Sequence, residues 1–110
     1  MTTDASNVWN NQMTQQFAEA LTTIVDGQAM QNFLRDVMTE KEIIETSARL
    51  EAAKMLTKGE RYTDVIKRTK LSSRTVARIS DWLKNGCNGY QTALTSLDSH
   101  NSHISPVSAE

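Results

Sequence analysis

Cysteine and proline occur once each in the 110 residues, as Cys87 and Pro106, and glycine only four times. One cysteine excludes an internal disulfide framework and cannot by itself build a structural zinc site. Apolar residues never run longer than two (Ile24-Val25, Phe33-Leu34, Ile43-Ile44), far short of the ~20 that a membrane-crossing helix needs. No basic segment followed by an apolar run opens the chain, so no secretory leader and a cytoplasmic location are expected. Aromatics are only 5% of the chain, yet hydrophobic residues make up 38% and charged ones 23%, an ordinary soluble balance. The length suits one domain with a modest core.

Charge is unevenly spread. The net of −1 divides into −5 over residues 1–48, +6 over 49–84 and −2 over 85–110. Ten of the twelve Lys and Arg residues fall within 49–84. Such a basic stretch is the footprint of a polyanion-binding surface, although a solvated helical face would carry charge equally well.

With so little glycine and proline, the glycines act as punctuation. From about Asn7 to Asp26, Trp9, Met13, Phe17, Leu21 and Ile24-Val25 recur at spacings of 4, 4, 4 and 3, one apolar stripe on a helix that Gly27 would end. A second helix is expected over Gln28 to Val37, with Met30, Phe33, Leu34, Val37 and Met38 inward. Thr39-Glu40-Lys41-Glu42 reads as a capping box opening a third helix to about Lys58, with Ile43, Ile44, Ser47, Leu50, Ala53, Met55 and Leu56 inward and Gly59 as its C-terminal stop. A helix from Tyr62 to Thr69, a break at Lys70-Leu71-Ser72 and a helix from Ser73 to Lys84 follow. A short last helix carries Tyr90, Ala93, Leu94 and Leu97. These readings predict an all-α chain of about six helices, with residues 1–97 as one helical domain and 98–110 as a disordered tail.

Residues 63–84 carry the densest functional signal. A helix-turn-helix needs two short helices locked at a steep angle by apolar residues, with polar side chains on the second helix aimed at a groove. Val65, Ile66, Leu71, Val76 and Ile79 supply the lock, and Ser72 suits the N-cap of the second helix. Ser72, Ser73, Arg74, Thr75 and Arg78 then stand where base edges and phosphates lie, since Arg can grip guanine at two points. Lys67, Arg68 and Lys70, with Arg61 and Lys84, would meet phosphates, which gives affinity without sequence information. Lys70 occupies the turn position usually given to glycine, so a left-handed backbone there costs energy. A helical corner used for docking another protein is the competing reading.

Three blocks resemble the Trp repressor superfamily, and within it the YerC/YecD-like branch. They are Phe33-Leu34-Arg35-Asp36-Val37-Met38-Thr39-Glu40-Lys41-Glu42, Leu56-Thr57-Lys58-Gly59-Glu60 and Ser72-Ser73-Arg74-Thr75-Val76-Ala77-Arg78-Ile79, with Gly89-Tyr90-Gln91-Thr92-Ala93-Leu94 closing the likeness. The resemblance implies an intertwined homodimer that binds double-stranded DNA and regulates transcription, usually as a repressor. It also implies an effector site: Thr39, Arg49 and Arg78 match the positions that hold the corepressor in tryptophan-binding members. Ile79 and Trp82 stand where those members carry glycine and serine, and their volume argues against tryptophan as a corepressor here. A different small ligand, or none, fits better.

The remaining candidates have plainer readings. Thr39 with Glu42 is a helix cap, Arg49 and Arg78 could form surface ion pairs, Trp9, Phe17 and Phe33 are expected in the core or a dimer contact, and Trp82 in the core near the junction with the last helix. His100 and His103 lie in the stretch expected as a tail, with no cysteine nearby and no rigid scaffold to hold a metal. Cys87 lacks a histidine to activate it, and no nucleophile, base and orienting group converge in the pattern, so no enzyme is expected.

Overall fold

The computed structural model describes residues 7–108, with the side chains of residues 7–100. Among them every regular element is helical: α1 (Gln12–Thr23), α2 (Gly27–Val37), α3 (Glu40–Thr57), α4 (Tyr62–Thr69), α5 (Ser73–Asn85) and α6 (Gly89–Ser108). The chain divides into two units, one up to Ile43 and one from Ile44 onward.

In the first unit, α1 starts at Gln12 rather than at Asn7. The Asn11 side chain accepts from the amides of Met13 and Thr14, at 2.7 and 3.3 Å, and so sets the N-terminus there. Trp9 precedes the helix, and its carbonyl accepts from Gln15 Nε2 at 2.6 Å. The helix ends at Thr23, where a β-branched run (Thr22 to Val25) disfavours continuation. Gly27 therefore does not stop α1. It is the first residue of α2, whose N-cap Asp26 accepts from the Ala29 amide at 2.9 Å.

Neither α1 nor α2 buries a residue. They meet in the tilted pair of Phe17 and Phe33 rings, 6.2 Å between centroids. Val8, Trp9, Met13 and Phe17 all stay exposed. Thr39 and Glu42 form the expected reciprocal cap, with the Glu42 amide on Thr39 Oγ1 at 3.1 Å and the Thr39 amide on Glu42 Oε1 at 2.8 Å.

The second unit holds the core: Ala52, Ala53 and Met55 from α3, Val65 from α4, Val76 and Ile79 from α5. Leu56, Ile66, Leu71, Leu83, Tyr90 and Leu94 pack around it. The two alanines present almost no side chain, which lets helices approach α3 closely. All buried residues of α3 lie in its C-terminal half, so Ile44 and Ser47, expected inward, remain exposed. Gly59 adopts φ +81°, the left-handed stop that ends α3. Gly86 is required for another reason: a Cβ there would stand 2.5 Å from the Trp82 carbonyl oxygen.

Trp82 also departs from expectation, being 55% exposed instead of core. On α5 the inward row is Val76, Ile79 and Leu83, and position 82, roughly 90° around the helix from the middle of that row, falls on its flank. The backbone of α6 continues past Leu97 to Ser108, into the stretch expected as a tail. No glycine or proline interrupts it before Pro106, and extending an existing helix is far easier than starting one. Residues 109–110 lie outside the described residues, as does the His103 side chain.

Candidate nucleic-acid interface

The corner between α4 and α5 is built from local chemistry. Thr69 Oγ1 donates to the Val65 carbonyl at 2.8 Å and accepts from the Leu71 amide at 3.3 Å, drawing the chain out of α4. Lys70 takes the left-handed conformation, φ 66° and ψ 14°, and its amide bonds the Ile66 carbonyl at 2.8 Å. Leu71 tucks against the core. Ser72 is extended and opens α5, its hydroxyl accepting from the Thr75 amide at 3.1 Å and donating to Thr75 Oγ1 at 3.0 Å. Val65, Val76 and Ile79 are buried together and hold the two helices at the corner. This is a helix-turn-helix.

The residues read as DNA contacts are distributed over this corner as follows. Lys67 and Arg68 stand exposed on the last turn of α4, and Lys70 is exposed in the turn. Ser72 and Thr75 are occupied with each other, and Thr75 is partly buried. Ser73, Arg74 and Arg78 are exposed on α5. Arg74 and Arg78 are four residues apart and therefore share one face, with Trp82 one turn further along it. The free amides at the start of α5 carry the positive end of the helix dipole, which favours an anion.

Sequence reasoning missed one charged residue here. Glu51 of α3 takes Arg68 Nε on Oε2 at 3.4 Å and Lys54 Nζ on Oε1 at 3.8 Å. No pattern signals a pair 17 positions apart; only the packing of α4 beside α3 brings it about. Arg61 pairs with Asp64 at 3.5 Å, both largely in solvent.

Of the residues read as an effector site, Thr39 is engaged in the cap of α3. Arg49 bonds Glu45 Oε2 at 2.9 Å, and Arg78 is exposed. Burial raises the Tyr90 phenol above its ordinary pKa, while the Arg49 charge opposes that shift. A shallow groove of about 450 Å³ elsewhere in this unit is lined by Leu56, Tyr62, Ser80, Leu83, Lys84 and Gln91 among others, and includes neither Arg49 nor Arg78.

Comparison with known proteins places this corner in a family. The model of the family described as Trp repressor protein matches residues 12–98. A protein of Bacillus subtilis (strain 168) with the name "Uncharacterized protein YerC" is 30% identical over 79 residues, spanning 72% of this chain and 76% of that protein. A solved TrpR-like protein from Eubacterium eligens ATCC 27750 superposes with a TM-score of 0.77 at 32% identity, covering 84% of this chain and 95% of the other. A helix-turn-helix protein of the DNA-binding class is thus defined by fold and corner together. The chain belongs to the Trp repressor family, in its YerC-like branch. No helix among the described residues is long and apolar enough to cross a membrane.

Proposed function

We propose that this chain is a sequence-specific transcription regulator that acts as a homodimer on double-stranded DNA and represses by occupying a promoter. The carrying observation is the pairing of a Ser72-capped α5 with two exposed arginines, Arg74 and Arg78, on one face of its first two turns. An Arg there can bond guanine O6 and N7 together. Lys67, Arg68 and Lys70 flank α5 and supply charge for phosphates. The likeness to a TrpR-like protein supports the same reading. Dimerisation is supported by a first unit that buries none of its described residues while leaving Trp9, Met13 and Phe17 in solvent. Two reading helices related by a two-fold axis would address half-sites roughly 34 Å apart.

The test is selection of bound sequences from a random duplex library, followed by titration of each recovered site against salt. A near-palindromic motif whose affinity falls steeply with salt is expected. Arg74→Ala and Arg78→Ala should each lower affinity for that site by about tenfold or more, a discrimination of ~1–3 kcal/mol per bidentate contact, while the dimer persists. Failure to recover a motif, together with salt-insensitive binding to a protein partner, would favour the docking corner instead.

A further inference from the structure

Glu51 is an unexpected residue to find beside a phosphate-binding surface. It lies in the basic stretch, where a carboxylate repels DNA unless it does something else. Its two oxygens are divided between two cations: Oε1 faces Lys54 Nζ on its own helix, and Oε2 faces Arg68 Nε across on α4. The Glu51 side chain is partly buried, 32% exposed, and so is the anchored member of the pair. Arg68 is 68% exposed and meets the carboxylate through Nε. Among the described residues no bond engages its Nη1 or Nη2. A guanidinium has five donors in a rigid fork, so one edge can be fixed to the protein while the other remains for an oxyanion.

We propose that Glu51 is a positioning residue of the DNA interface, fixing Arg68 by its Nε so that its outer nitrogens meet a backbone phosphate. This rests on the DNA-binding reading above. A long arginine side chain loses rotamer freedom when it is immobilised against a partner. Glu51 imposes that restriction before DNA arrives, and Lys54 offsets its negative charge. Opposite signs separate this role from simple electrostatics. If Glu51 were only a repelling charge, removing it would tighten DNA binding. If it positions Arg68, removing it weakens binding even though the protein becomes more positive.

The experiment measures affinity for one mixed-sequence DNA duplex at low salt, because a phosphate contact needs no particular sequence. Five chains are compared: wild type, Glu51→Ala, Glu51→Gln, Arg68→Ala and the double Glu51→Ala/Arg68→Ala variant, with thermal unfolding of each recorded alongside. Glu51→Ala should weaken binding about fivefold, the scale of one immobilised side chain, and Glu51→Gln, which keeps an acceptor, should weaken it less. In the Arg68→Ala background the loss should vanish. Tighter or unchanged binding by Glu51→Ala overturns the proposal while the DNA-binding reading stands. An equal loss in both backgrounds overturns it too, since Glu51 would then act independently of Arg68. Should Glu51→Ala fail to fold, the sign for Glu51→Gln decides: weaker binding supports positioning, tighter or unchanged binding ends it. A wild-type chain that binds no duplex in a salt-dependent way would remove the DNA-binding reading and this proposal together.

Discussion

Lys70 sits in the left-handed region where its Cβ is disfavoured, a conformation that costs a non-glycine residue about 1 kcal/mol. Glycine would relieve that cost, so a lysine there is consistent with use of its ammonium. Lys70→Gly should therefore stabilise the fold by about 1 kcal/mol, read from urea unfolding. It should also weaken DNA binding and reduce the salt slope by about one. Tyr90 gives a second test at this scale. Its phenol titrates higher in the folded chain than in the unfolded one, so the folded state favours the protonated form. The associated stability is fully present below about pH 10, the ordinary phenol value, and is lost as pH rises through the raised folded value. Tyr90→Phe should flatten that alkaline decline in urea midpoints measured between neutral pH and pH 11.

The helices are the scale at which the sequence speaks most clearly. Caps, β-branched runs and turn residues act over three or four positions, so Thr39-Glu42 and Ser72-Thr75 form the bonds their spacing implies. The same locality places α4 and α5 at the expected residues, and Val65, Val76 and Ile79 in the core. Replacing the Ser72 hydroxyl, as in Ser72→Ala, should cost about 1 kcal/mol, visible as a lower thermal midpoint with fraying of α5 under hydrogen exchange. Where two local signals compete, reading along the chain goes astray. Asn11 outbids the apolar stripe that would start α1 at Asn7, and Asp26 makes Gly27 the beginning of a helix instead of an end. Periodicity also cannot say which turns of a helix another element covers, and so Ile44 and Trp82 are exposed despite their apolar character.

For the whole molecule, the contrast between the two units matters most. The second has a core of six fully or nearly buried apolar residues, whereas α1 and α2 bury none. Exposing Trp9, Met13 and Phe17 in water forfeits the burial free energy that aromatic and large apolar side chains normally contribute. The proposed homodimer, with a second copy of the chain covering them, would account for the pattern. Phe17→Asp should then convert a dimer to a monomer in sedimentation at micromolar concentration, with helicity falling in the first unit while unfolding of the second persists. A monomeric wild-type chain under the same conditions would argue against the homodimer.

The sequence by itself determined the all-helical class, the helix-turn-helix, its caps and its apolar lock, because each depends on residues within one or two turns of one another. The likeness of three short blocks to the Trp repressor family was legible for the same reason. Tertiary structure alone decided that Glu51 meets Arg68, that Trp82 faces solvent, and that the core is gathered in the C-terminal half of α3 with α4 and α5. Those outcomes follow from which helix faces are brought together, and a pairing across 17 positions leaves no periodic trace in the chain.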